Sequence, residues 1–281
     1  MTTEVLAPED LVDLDGYPVL EPDGEAYAAV VAAARAQLAD LGAVELPGFV
    51  TADGVTALQR DAERLAGRAH PSSVEGTAYL ELPDFSLPPD HPRLAWRRYA
   101  VQAVAYDLIP HDSPLRRLYE WEPMSRLVAA VLGHGALYRY ADPFGALNLA
   151  VMGEGDELQW HFDQADFVVS LAIQSAEAGG HFEVVPRIRS AEDERYDDVA
   201  AVLDGDRRRV VTLPMQPGTL LVFCGRYSLH RVSPVEGDRL RHVGLLAYDT
   251  QPGTQGSDLL RLDRYGRTQP FDRPPVAWPT S

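Results

Sequence analysis

The chain has 281 residues, 46% of them apolar and 24% charged, which excludes a disordered, collagen-like or coiled-coil protein. With 42 acidic and 25 basic residues the formal net charge is −17, so nucleic acid and anionic membrane are poor partners. The lone cysteine, Cys224, excludes an intrachain disulfide and a cysteine-built zinc or iron–sulfur site. The opening MTTEVLAPEDLVDLDG is acidic and lacks an apolar core, so it reads as no secretion signal. No apolar run approaches the ~18 residues of a membrane span. A cytoplasmic protein is expected.

Residues 24–41 are alanine-rich with apolar positions at helical spacing, and Gly42 follows as a stop. A short β-like run, VELPGFV, covers 44–50. Thr51 is placed to cap a second helix reaching about Leu65, because its oxygen can accept a free N–H of the first turn. The proline-rich stretch 82–92 reads as a loop. Residues 114–132 read as one helix or two, broken near Pro123, since proline lacks the N–H a helix interior needs. From about Ala136 the pattern turns to short apolar or alternating runs: ALNLAVMG, FVVSLAIQ, HFEVVP, RVVTLPM, TLLVFCG, LHRVSPV and RHVGLLAYDT. Clusters of Gly, Pro and Asp separate them, as in an antiparallel sandwich or barrel. The charged segment 187–209 reads as a surface insertion with a short helix. The tail after Pro252 reads as irregular, and no internal repeat is visible.

Three residues carry the chemistry: His161 and Asp163 in QWHFDQADF, and His230 in GRYSLHRVSPVEG. Two positions apart on a strand, His161 and Asp163 would face the same side. An imidazole nitrogen and a carboxylate oxygen can then meet on one metal ion, with His230 supplied by a distant strand. Two histidines and one carboxylate on one face of an octahedral ion leave three positions open, which suits Fe(II) that must bind a co-substrate and O₂ together. Arg241 follows His230 by eleven residues. A fixed guanidinium holds a carboxylate with two hydrogen bonds, as the far end of 2-oxoglutarate requires. Arg239 is its rival. Both lie on one face by alternation, but Arg241 sits deeper in the apolar strand and Arg239 beside the turn EGD.

These residues, with AGGHFEVVP, PGTLLVFCGRYSLHRVSPVEG and RHVGLLAYD, resemble the Fe(II)/2-oxoglutarate-dependent oxygenases, above all the branch that halogenates or hydroxylates free amino acids. The resemblance covers roughly residues 136–252 and, loosely, the helical half. It implies a mainly β protein with helices (α+β): a double-stranded β-helix, or jelly roll. It would form one domain, with a mainly helical part over 1–135, the jelly-roll core over 136–252 and an irregular tail over 253–281. It implies iron ligation by His161, Asp163 and His230, and 2-oxoglutarate binding by Arg241. Halogenases of that branch carry a small residue at the acidic ligand. This chain keeps Asp163, which points to hydroxylation. A desaturase, cyclase or epimerase of the same iron type shares every ligand. A cupin-type jelly roll without oxidative chemistry is the other alternative.

Arg97 and Arg98, with Arg98 slightly preferred, are candidates for the carboxylate of an amino acid substrate, since relatives use an arginine in this region; the bland alternative is a salt-bridging surface pair. Asn148 alternates with Leu147 and Leu149 and would bond either 2-oxoglutarate or nearby backbone, because an unpaired buried amide is costly. Val243, Leu245 and Ala247 follow Arg241 on its face. They would give a cavity wall without side-chain hydrogen bonds and an apolar or uncharged substrate side chain. His134, His181 and His242 read as structural or solvated, with His242 facing away from Arg241. Trp160 reads as core and Cys224 as a small buried hydrophobe. The expected partner is a small molecule.

Overall fold

The computed structural model describes residues 6–271. The first half holds α1 (Pro8–Leu11), α2 (Glu25–Leu41), β1 (Ala43–Leu46), α3 (Ala52–Ala66), β2 (His70–Thr77), β3 (Trp96–Val104), α4 (Pro114–Glu120) and α5 (Glu122–Leu132). The second holds β4 (Tyr138–Arg139), β5 (Leu147–Met152), β6 (Glu157–His161), β7 (Val168–Gln174), β8 (Ala178–Gly179), β9 (Phe182–Val185) and α6 (Tyr196–Leu203). Then come β10 (Val211–Leu213), β11 (Leu220–Phe223), β12 (Leu229–Val232), β13 (Val235–Glu236), β14 (Arg241–Leu246), β15 (Tyr248–Asp249) and α7 (Asp258–Tyr265).

The expected punctuation is present. Gly42 ends α2 in the left-handed region, at φ +66°, with its N–H donating to the Leu38 carbonyl. The Thr51 hydroxyl accepts from the Gly54 N–H at 3.1 Å and caps α3. Trp121 is extended and separates α4 from α5, with Pro123 in the first turn of α5, where a missing N–H costs nothing.

Eleven strands form one antiparallel sheet in the order β1-β11-β7-β14-β5-β3-β6-β12-β9-β10, with β2 added on β3. β3 turns the corner: Gln102–Val104 pair with β5, whereas Tyr99 and Ala100 pair with β6. The sheet therefore rolls into a nearly closed double-stranded β-helix. One face of β5, β7, β11 and β14 packs Leu149, Leu171, Val222 and Leu246 against helical Leu58, Leu115, Leu118 and Leu127. The opposite face lines the barrel with Ala150, Met152, Val243, Ala172 and Phe223.

Three features depart from the sequence reading. β2 and β3 were not anticipated. HPSSVEGT is polar and contains Pro71 and Gly76, and it can be a strand because it pairs only with β3. Segment 187–209 is more than a surface insertion: Val199 and Val202 of α6 are buried with Tyr79, Trp160 and Phe162. The tail contains α7, capped by Ser257 and Gly266, and its Tyr265 stacks on Phe144; residues 272–281 of that tail lie outside the described residues. Among the described residues no helix is long and apolar enough to cross a membrane.

Candidate metal centre

β6 and β12 pair in a register that sets His161 directly opposite His230. Their rings lie 4.2 Å apart between centroids, inside the barrel. Asp163 departs from expectation: β6 ends at His161, so Asp163 sits in the following loop, not on the strand. A backbone bond restores its aim, with the Asp163 N–H donating to the Gly225 carbonyl at 3.2 Å. Asp163 Oδ1 lies 3.4 Å from His230 Nε2 and 3.9 Å from His161 Nε2. Donors bound ~2.1 Å from a common octahedral ion stand about 3 Å apart, so this spacing suits an ion with little adjustment.

The backbone fixes the ring orientations. His161 Nδ1 meets the Gln159 carbonyl at 2.7 Å, and His230 Nδ1 meets the Ser228 carbonyl at 3.0 Å. Each carbonyl calls for an Nδ1–H, which leaves both Nε2 lone pairs facing Asp163. Burial, helped by neighbouring His230, pushes the His161 imidazole down to about 4. It is therefore neutral at pH 7, the form that binds metal. Burial alone would raise Asp163, but the two histidines outweigh it and hold the carboxyl below its usual range. Asp163 Oδ2 is buried without a hydrogen-bond partner. A desolvated carboxylate oxygen beside two imidazole lone pairs fits a bound cation. The three residues are the one such cluster among the described residues.

The barrel interior also holds Arg241, which is 8% exposed. Its guanidinium touches Met152 Sδ at 3.6 Å and makes no ion pair among the described residues. Burial lowers it to about 10. Gly180 makes room for it, since a Cβ there would stand 2.9 Å from Arg241 Cδ. Arg239 is exposed and donates to the Ala176 carbonyl at 2.8 Å. Asn148 is buried on the interior face, opposite Leu245 in the register, and its Oδ1 has no partner. Val243 and Leu245 line the same interior. Ala247 lies past the end of β14, half-buried, with its carbonyl taken by the Tyr119 hydroxyl.

Against this geometry, the model of the family described as Halogenase D matches residues 27–257. The chain belongs to the Halogenase D family. Among solved structures it is similar to a 2OG-Fe(II) oxygenase family oxidoreductase from Burkholderia pseudomallei, with 18% identity over 80% of this chain and 92% of that one and a TM-score of 0.52. It is similar to AviO1 from Streptomyces viridochromogenes Tue57, with 20% identity over 80% and 96% and a TM-score of 0.55. It also resembles the epimerase SnoN in complex with Fe3+, alpha ketoglutarate and nogalamycin RO, with 16% identity over 90% and 97% and a TM-score of 0.55. At these identities the likeness is one of fold. No curated protein matches the sequence.

In this Halogenase D family member the two upstream arginines separate. Arg98 is exposed, donates to the Gly155 carbonyl and stands 3.8 Å from Glu157. Arg97 shares the face of Tyr99, whose ring meets His161 at 5.4 Å, but its guanidinium donates to the Trp96 and Leu203 carbonyls. Trp160 is core, as expected. Cys224 is half-buried, not buried. His134 and His181 are exposed, while His242 is fully buried with neither ring nitrogen partnered. Sequence reasoning missed Tyr99, Phe223 and Gly225. Phe223 packs on His230 at 4.6 Å. A Cβ at Gly225 would fall 1.8 Å from Asp163 Oδ2. Tyr99 gave no signal because its strand was unseen. Gly225 could have been noticed as a glycine closing the strand TLLVF five residues before His230.

Proposed function

We propose that the chain is a cytoplasmic Fe(II)- and 2-oxoglutarate-dependent oxygenase, formed as one domain, that hydroxylates a free amino acid or a small amino acid derivative. The observation that carries this reading is the three-donor cluster sharing a barrel interior with a buried, unpaired arginine. His161, Asp163 and His230 would hold the metal. Bound Fe(II) supplies the activation of O₂, with 2-oxoglutarate as the co-reductant that leaves as succinate and CO₂ while the substrate gains a hydroxyl group.

The chain's own residues do the rest. The Gln159 and Ser228 carbonyls hold both imidazoles in the ligating tautomer. Arg241 receives the distal carboxylate of 2-oxoglutarate and recovers the ion pair it lacks. Asn148 offers its orphaned amide oxygen and its amide NH₂ to the same co-substrate. Arg97 or Arg98 meets the substrate carboxylate once freed from its present partners. Val243, Leu245 and Ala247 give an apolar wall that excludes water and favours an uncharged substrate side chain. The Asp163 carboxylate occupies the place a halide would need, which favours hydroxylation over halogenation. Anaerobic protein loaded with Fe(II), 2-oxoglutarate and pooled amino acids, then exposed to O₂, should yield succinate and one amino acid heavier by one oxygen. Loss of two hydrogens would reassign it as a desaturase or cyclase, and an unchanged mass with inverted configuration as an epimerase. No 2-oxoglutarate-dependent succinate would overturn the oxygenase reading.

A further inference from the structure

Two backbone segments meet at Asp163: residues 162–166, which carry it, and the turn 224–228, which leads to His230. Their junction is the bond from the Asp163 N–H to the Gly225 carbonyl. Arg226 adds a second tie, donating to the Gln164 carbonyl and pairing with Asp166. Neither segment is a strand, so hydrogen-bond ladders do not fix this junction.

Arg189 reaches both segments at the residues next to the junction. Its Nε and Nη2 donate to the Arg226 carbonyl at 2.9 and 2.7 Å. Its guanidinium carbon stands 3.9 Å from the centre of the Phe162 ring. Phe162 is fully buried and lies between His161 and Asp163 in the chain. Glu194 holds the third nitrogen at 3.0 Å. The backbone of the same stretch follows the turn: Arg187 N–H donates to Ser228 Oγ, and Arg189 N–H to the Tyr227 carbonyl. Ser228 is the residue whose carbonyl orients His230. A guanidinium can bond one carbonyl with two N–H groups of its planar fork while its carbon sits over a ring; an ammonium is a point charge without that fork.

We propose that Arg189, which touches no ligand atom, is a positioning residue that sets the Asp163 arm of the metal centre. The inference rests on the metal reading above. It assigns a function to segment 187–195: this stretch braces the two loops that must hold a carboxylate and an imidazole to one ion. Partners behind metal ligands commonly govern affinity by ten- to a hundredfold.

The test is anaerobic Fe(II) titration of the full chain, wild type against Arg189→Met and Arg189→Lys, at a temperature well below each melting midpoint. Methionine keeps a long side chain over Phe162 and loses all three donors. Lysine keeps the charge and loses the fork. The expected result is about tenfold or greater weakening of Fe(II) binding in Arg189→Met, and a several-fold loss in Arg189→Lys, both with cooperative melting. If Arg189→Met does not fold, Arg189→Lys decides by the same several-fold criterion. Variants that bind Fe(II) within twofold of wild type, whatever their melting midpoints, would overturn the proposal and leave the metal reading standing. A wild-type chain that binds no Fe(II) would overturn both.

Discussion

Arg241 and Arg239 lie two residues apart, Arg241 as the first residue of β14 and Arg239 in the bend before it, and they differ in surroundings. Arg241 is buried without a counter-charge; Arg239 is exposed and satisfied by a backbone carbonyl. Arg241→Ala should raise the 2-oxoglutarate concentration needed for half-maximal succinate formation by orders of magnitude, since a carboxylate left buried without its partner costs about 3–5 kcal/mol. Arg239→Ala should change it little, and the reverse ranking would move the role to Arg239. Gly225 offers a second test at this scale. A methyl there would stand 1.8 Å from Asp163 Oδ2, so the carboxylate must move. Gly225→Ala should weaken Fe(II) binding at least tenfold in a titration. Gly67→Ala, where nothing lies within 4 Å of the added Cβ, should leave it unchanged. Equal affinities would mean that the loop absorbs the methyl without disturbing Asp163.

Helices with a clear start and stop were legible. The Thr51 cap is an example, and its removal gives a prediction confined to the element. Thr51→Ala should cost about 1 kcal/mol in urea unfolding and leave Fe(II) affinity unaltered. A coupled loss of affinity would show that α3 contributes to the site through β7, to which Gln59 is bonded at the Ile173 carbonyl. The apolar strands β5, β7, β11 and β14 were also legible, because burial on both faces leaves a hydrophobic run in the sequence. β2 and β3 were not. β2 is an edge strand whose residues are mostly exposed or half-buried, so it shows neither alternation nor an apolar run, and Pro71 and Gly76 argue against it locally. α7 has eight residues, most of them polar or exposed, and only its caps distinguish it from a loop. The triad was legible as residue types and spacing. The detail that Asp163 lies beyond its strand was not, because a backbone bond to a segment sixty-two residues away decides its aim.

At the scale of the molecule, the rolled sheet and the helices packed on it bury two imidazoles, His161 inside the barrel and His242 on the face of β14 opposite Arg241. His161 and fully buried His242 are both pushed down by burial, from 6.5 to about 4. Below pH 6.5 the unfolded chain takes up these protons before the folded one, so stability is complete above that pH and is lost as pH falls towards 4. The urea midpoint of the metal-free protein should therefore decline over this window. His242→Leu, which leaves the metal cluster intact, should flatten part of the decline; an identical slope would remove His242 from the account. Rolling also explains how residues far apart in sequence share one interior: β6 and β12 bring His161 opposite His230, while β14 presents Arg241 to the same cavity. That all three donors serve one ion is the central claim, and anaerobic equilibrium dialysis tests it most directly by counting Fe(II) bound per chain. One ion in the wild type, with His161→Ala and His230→Ala each reduced to near none, is the predicted result. Full retention of the ion by both variants would contradict it.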